Sequence, residues 1–346
     1  MSHPRLRNRC LWLAATLALL VTGAACRSVF RYPAEPYDSA RPKEEILLEG
    51  MNPFLLTNLV SGRIVVEIDW IEGHEPDPVA LELLQERLRT SGPPAKQIRI
   101  QLDDEIPLAI WESVPGDFRA RSVQLGPHLD HDPGNWLEEE LIYVVYVPGR
   151  PEFLGWTRTM TYERDDDLWV VPTIFMFPET IEHKAQLWVT ARRIERAILV
   201  HEAGHVLGLV ADPDHQERDN PRHCTEPPCV MAHMGTRAQL YNAFPALFGG
   251  KVPDDFGDKC RADMTRVKQI WAARAEEDPA FPDTLRKRRR VQELRAQACW
   301  YGERERWNEA AEKLRQAREL LGEDQAEAAS LNDTERYLRL FKNCPD

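Results

Sequence analysis

Five residues constrain what this 346-residue chain can fold into more than any other feature: His201-Glu202-Ala203-Gly204-His205. Residues four apart stand one turn apart on the same face of an α-helix. His201 and His205 can therefore bind one metal ion from the same side. Glu202 then lies beside the open coordination position, where its carboxylate can take a proton from a water. The sequence upstream supplies the helix. Ile194, Ala197, Ile198, His201 and His205 follow the 3–4 spacing of a buried stripe, which predicts a helix over residues 184–209. Gly208 can relax the helix end, so that the chain turns back toward the metal.

The pattern continues downstream. Gly208 stands three residues after His205, as in HExxHxxGxxH, but Ala211 occupies the place of a third ligand and cannot bind a metal. Asp212 and His215 are nearby candidates for that role. A second piece follows, in which His223-Cys224, four residues, Cys229, one residue and Met231 read as HCx4CxM. Together the two pieces resemble the archaemetzincins, whose signature HExxHxxGxxHCx4CxM runs without a break. Here twelve extra residues stand between Leu209 and His223, rich in Asp, Pro, Asn and Arg as surface loops are. Such an insertion is tolerated because closure entropy grows slowly with loop length. The resemblance implies a zinc peptidase of the metzincin clan. His201, His205 and His223 would be the ligands of one catalytic zinc, Glu202 the general base, and Met231 the methionine that floors the site. It also implies an α+β fold, a twisted mixed β-sheet over the cleft with an active-site helix. A gluzincin-type site, with a downstream glutamate as third ligand, is a minor variant that Met231 speaks against.

The family resembled here also carries a second, structural zinc, held by the two cysteines of Cx4C and a later CxxC. The corresponding segment of this chain is Gly257-Asp258-Lys259-Cys260, with Gly257 in place of the first cysteine. Cys224, Cys229 and Cys260 supply three thiolates where a closed site takes four ligands, which puts that second zinc in doubt. In a compartment that permits disulfides, one pair among the three could instead be joined, leaving one thiol over.

Residues 1–26 read as a processing signal. Arg5, Arg7 and Arg9 precede a short apolar run from Leu11 to Val21, and Gly23, Ala24 and Ala25 precede Cys26. Cys26 resembles the lipidated cysteine of a bacterial lipoprotein, although Gly23 holds the place of the usual leucine. The expected location is the cell envelope, with a lipid anchor to the membrane; ordinary signal cleavage and a retained anchor are the alternatives. Residues 27–45, with Pro33, Pro36 and Pro42, suit a tether. Removing residues 1–25 takes away three of the 44 basic residues and none of the 56 acidic ones, leaving a net charge of −15. A chain of that charge has no general attraction to nucleic acid or to an anionic bilayer. The run Arg286-Lys287-Arg288-Arg289-Arg290 is the exception, and reads as a solvated helix face.

Residues 46–275 form the expected catalytic domain. Strands are expected at 63–71, 97–102, 140–148, 153–162 and 168–177, with a helix at 77–90. Pro172 marks the last strand as an edge or a bulge. The 153–162 segment is the candidate substrate-binding edge implied by the resemblance. Residues 126–136 hold His128, Asp130, His131 and Asp132, a polar turn or an extra metal site. Residues 276–346 form a helical C-terminal unit, with helices expected at 284–301, 304–321 and 324–342. Trp307, Ala310, Ala311, Leu314, Ala317, Leu320 and Leu321 supply its apolar face, and Cys299 and Cys344 could close its ends. The unit resembles one tetratricopeptide-type hairpin, either a cap or a docking module for a protein partner.

Two functions compete on this sequence. One is a zinc-dependent endopeptidase or aminopeptidase acting on a peptide or protein. The other is a non-catalytic surface lipoprotein that uses the same scaffold to bind a partner. Glu202 favours the first, because a purely structural metal site has no need of it.

Overall fold

The computed structural model describes residues 42–116, 118–131, 139–149, 154–165, 167–185, 189–218, 220–232, 252–321, 331–332 and 334–335. The signal segment, Cys26, most of the tether, Asp132, Cys344 and most of 324–342 lie outside the described residues. The described chain divides at Arg286 into two compact units.

The first unit is built on a five-stranded mixed sheet. Its strands are β1 (Arg63–Ile71), β2 (Gln97–Ile106), β3 (Glu139–Tyr146), β4 (Gly155–Arg164) and β5 (Asp167–Met176). Their spatial order is β2-β1-β3-β5-β4. The first four positions run parallel, and β4 closes one edge antiparallel to β5. Parallel strands covered on both faces read as continuous apolar runs, and β1 and β3 are buried along nearly their whole length. Alternate residues serve opposite faces. Val65, Tyr143, Val145, Val171 and Phe175 meet Trp111, Phe118, Leu125 and Leu129 from the segment between β2 and β3. On the motif-helix side, β4 and β5 pack against the helix Ala191–Leu207, which also packs against the helix Pro78–Ser91.

All five strands and the helix near 77–90 lie where the sequence reading put them, with differences at Pro172, in β2 and in the motif helix. Pro172 is not on an edge: β5 lies inside the sheet. Its ladder with β3 spans only Thr173 to Met176, so the missing N–H of Pro172 falls just outside that ladder. β2 runs four residues further than the expected end at 102. The motif helix begins at Ala191, not 184, because Thr190 caps it by accepting a hydrogen bond from Arg193 N. Residues Pro178–Lys184 form a separate helix. Burial in the motif helix is wider than a stripe: every residue from Ala197 to Gly204 is buried. A helix buried all round belongs to the interior, not to a surface.

A helix not expected from the sequence, Lys43–Gly50, begins inside the segment read as a tether. Asn52, just after it, donates its backbone N–H to Leu207 O at 3.0 Å, satisfying one of the carbonyls left open where the motif helix ends. Another unexpected helix, Asp258–Glu277, buries Cys260, Met264, Val267 and Trp271 on one side.

The second unit contains most of the helix Phe281–Gly302 together with the helix Trp307–Leu321. Val291, Leu294, Ala298, Ala310, Leu314, Ala317, Leu321 and Leu331 form its core. Ala311 and Leu320, expected on the apolar face, are exposed. The basic run is not uniformly solvated. Arg289 is buried and its Nε meets Glu293 Oε1 at 3.1 Å, four residues on and so on the same helix face.

Candidate metal centre

Three imidazoles converge. The nitrogens of His201, His205 and His223 all lie within 4.8 Å of one another. His201 and His205 come together because the motif helix is regular through them, and their Nε2 atoms are 3.2 Å apart. Two nitrogens bound at about 2.0–2.1 Å to one tetrahedral ion stand about 3.4 Å apart, so the pair is already at ligand spacing. His201 Nδ1 meets Val230 O at 2.7 Å, which fixes the ring and turns Nε2 toward the other two. Burial and the two neighbouring imidazoles hold the His205 pKa well below the usual histidine range, in the neutral form that binds metal. The donor set suits zinc.

His223 arrives from a different element. After Leu207 the helix closes on Gly208 in left-handed backbone, φ 79°. Leu209 N donates to Gly204 O at 2.9 Å and Gly208 N to His205 O at 3.1 Å, the paired bonds of a Schellman cap. Val210 follows at φ 65°, a costly backbone for a β-branched residue. Gln216 Nε2 steadies this corner by donating to Val210 O and Ala211 O at 2.9 and 3.1 Å. The inserted residues then fold into a 3-10 turn, Pro213–His215, and a hairpin of β6 (Gln216–Glu217) and β7 (Asn220–Cys224). β7 carries His223 back to the helix, and its Cys224 N donates to Met231 O at 2.8 Å. Met231 is fully buried, and a Cβ on Gly204 would stand 2.1 Å from its sulfur. The small residue in the motif thus leaves the space that the methionine fills.

Of the two competing ligands, neither joins the triad. Asp212 is buried, caps the 3-10 turn by accepting from Asp214 N at 2.9 Å, and pairs with Lys43. His215 lies in a second cluster. Its Nδ1 is 3.3 Å from Cys224 Sγ and its Nε2 is 2.5 Å from Asp263 Oδ2. Cys229 Sγ and Cys260 Sγ lie 3.6 Å apart, and Cys224, Cys229 and Cys260 are unlinked by disulfides.

Glu202 is buried beside the triad and stands outside the group of convergent nitrogens. Burial pushes its carboxyl up to about 7 against the opposing hydrogen bond from Thr157. Thr157 Oγ1 donates to Glu202 Oε2 at 2.7 Å and lies 3.1 Å from Glu202 O. Two residues earlier on β4, a Cβ on Gly155 would stand 2.7 Å from Glu202 Cγ. β4 can lie this close to the helix only because that position is glycine. Neither Thr157 nor Gly155 was singled out from the sequence, since nothing local marks a strand residue that reaches a helix 45 positions on.

Of residues 126–136 only 126–131 are described: Gly126–His128 end a 3-10 helix, Ser122–His128, and His128, Asp130 and His131 join none of the groups of metal-binding spacing among the described residues. Asp130 N and His131 N donate to the Glu67 carboxylate at 2.7 and 2.8 Å, and His128 Nδ1 meets Asp104 Oδ2 at 2.9 Å. Burial drives the carboxyls of Glu67 and Asp69 up to about 7.

No protein-family model matches the chain, and no curated protein matches it. Among solved structures, an archaemetzincin from Methanopyrus kandleri is similar at 14% identity, over 60% of this chain and 97% of that one, with a TM-score of 0.35. A likeness this distant carries nothing about chemistry, which rests on the geometry of the chain itself.

Proposed function

We propose that the chain is a zinc-dependent peptidase of the metzincin type, with His201, His205 and His223 holding one catalytic ion and Glu202 acting as general base. The observation that carries this reading is the pairing of three convergent imidazoles with a buried carboxylate that is not one of them. Zinc, when bound by three protein ligands, supplies Lewis acidity toward a carbonyl and acidifies a water in its open position. Glu202 accepts the proton of the attacking water and delivers it to the leaving amine. Thr157 aims the carboxylate, and Val230 O aims His201. The substrate lies extended along β4, which has a strand partner on one side only among the described residues, and adds to the sheet by main-chain pairing.

The test separates metal binding from chemistry. Zinc-loaded wild type is offered an unbiased peptide library, and Glu202→Gln is compared with it. The variant should keep its zinc and lose hydrolysis by on the order of a hundredfold or more. Equal cleavage by both would discard Glu202 as the base. No cleavage by fully loaded wild type would leave the scaffold as a binding protein.

The same reading puts the protein in the cell envelope, tethered through a lipidated Cys26. Intact-mass analysis of the membrane fraction should find an acylated N-terminal cysteine. A soluble mature chain starting elsewhere would remove the anchor from the proposal.

A further inference from the structure

We propose that His215, Cys224, Cys229 and Cys260 form a second metal site, closed around one zinc ion by three thiolates and one imidazole, and that this site locks the loop that carries His223. The side chains come from four places: the inserted turn, the end of β7, the turn before Met231, and the helix Asp258–Glu277. All four are buried, between 0% and 3% exposed. Donor atoms of His215, Cys224 and Cys260 lie within 4.8 Å of one another, and Cys229 Sγ is 3.6 Å from Cys260 Sγ. Sulfurs bound at about 2.3 Å to one tetrahedral zinc would stand about 3.8 Å apart, so small movements complete the shell.

The surroundings suit thiolates bound to a cation better than inert thiols. Backbone donors point at two of the sulfurs, Gly257 N to Cys229 Sγ at 3.1 Å and Glu226 N to Cys224 Sγ at 3.4 Å. Asp263 engages His215 Nε2 and so directs Nδ1 into the cluster, the arrangement in which a carboxylate orients a ligating histidine. As the metal binds, each thiol gives its proton to solvent.

Gly257 explains why the fourth ligand is a histidine from elsewhere. A Cβ there would stand 2.1 Å from Glu226 Oε2 and 2.8 Å from Cys229 Cβ, so this backbone has no room for a cysteine side chain. The insertion between Leu209 and His223 supplies His215 instead. The count of three thiolates that argued against a second zinc was correct, and the missing donor was in the loop set aside as surface.

The consequence for the triad rests on the peptidase reading. The metal site does not. Cys224 adjoins His223 and Cys229 lies two residues before Met231, so one ion would fix both the third ligand and the floor of the first centre.

Metal content of the purified full-length protein decides the matter. Wild type loaded with zinc under reducing conditions should hold two ions per chain. His205→Ala should hold one, and X-ray absorption at the zinc edge should show a shell of three sulfurs and one nitrogen. Cys260→Ser should lose the second ion and bind the first more weakly, and Asp263→Asn should weaken the second. A Cys260→Ser that fails to fold leaves the His205→Ala spectrum to decide. The proposal is overturned if wild type holds one zinc in a nitrogen and oxygen shell, or if peptide mapping of protein from the envelope finds a Cys229–Cys260 disulfide. Peptide cleavage by a one-zinc wild type would sink this inference and keep the peptidase reading. Two zincs with no cleavage would do the reverse.

Discussion

Two histidine-bearing clusters share one stretch of chain, and they are built to opposite ends. In the triad, His205 and His223 are only partly buried, a carboxylate stands by without ligating, and the edge strand β4 runs alongside. In the cysteine cluster every donor is buried and turned inward, and the imidazole is held from behind by Asp263. On the proposed reading, the first would leave a position for substrate and the second none. That is the difference between catalytic and structural zinc sites. A single turn of sequence, His223-Cys224, sends one side chain to each centre, because neighbouring residues on β7 point opposite ways.

The largest expected effect separates the two memberships. His223→Ala should weaken zinc binding at the triad by roughly a hundredfold or more, since even outer partners of a ligand are worth 10- to 100-fold. Asp212→Ala should leave that affinity near wild type. Its cost should appear as about 1 kcal/mol of stability, from the lost cap on the 3-10 turn and the lost partner of Lys43. Zinc titration of both variants, with the cysteine site already filled, reads the two outcomes. The opposite pattern would move the third ligand to Asp212.

A smaller effect is kinetic. With both centres loaded, a chelator at neutral pH should strip the triad first, faster than the cysteine site by roughly tenfold or more, because only the triad offers the chelator an open position. Biphasic release followed by a colorimetric zinc indicator would show it, and His205→Ala should abolish the fast phase alone. A single phase in wild type would mean that the two centres are equally accessible.

Two of the three converging imidazoles, His201 and His205, were legible from helical spacing and His223 only through the resemblance; in the other cluster the three cysteines were named, but His215 and Asp263 were not placed with them. Helical spacing is local, so His201 and His205 announce their shared face within five residues. His215 and Asp263 meet across 48 residues, and no pattern of spacing encodes that contact. The strands show the same contrast. β3 was plain because a parallel strand buried on both faces is nearly continuously apolar, and β1 is apolar apart from the buried Glu67 and Asp69. The helix Asp258–Glu277 was missed although its buried residues, Cys260, Met264, Val267 and Trp271, recur at 3–4 spacing. That stripe is one residue wide and lies in a polar background, so its signal was present and overlooked. The start of the motif helix was misplaced by seven residues, although Thr190 is a good capping residue and Pro178 marks where a separate helix begins.

The smallest effect tests how each centre orients its key group. Asp263 holds His215 in the cysteine cluster, and Thr157 holds Glu202 beside the triad. The Thr157 hydroxyl engages Glu202, so it acts as a positioning residue through that carboxylate. Thr157→Val keeps the shape and removes the hydroxyl. A buried hydrogen bond of this kind contributes about 0.5–1.5 kcal/mol net, which converts to roughly a two- to tenfold fall in kcat. KM and zinc content should stay near wild type, because neither the substrate edge of β4 nor the ligands change. Thr157→Ser should restore the rate, since its hydroxyl can occupy the same position. If Val and Ser variants both match wild type, Glu202 is aimed by packing alone, through the close approach of Gly155 to its Cγ. If both fall alike, the loss comes from repacking between β4 and the motif helix, and the hydrogen bond carries no separate role.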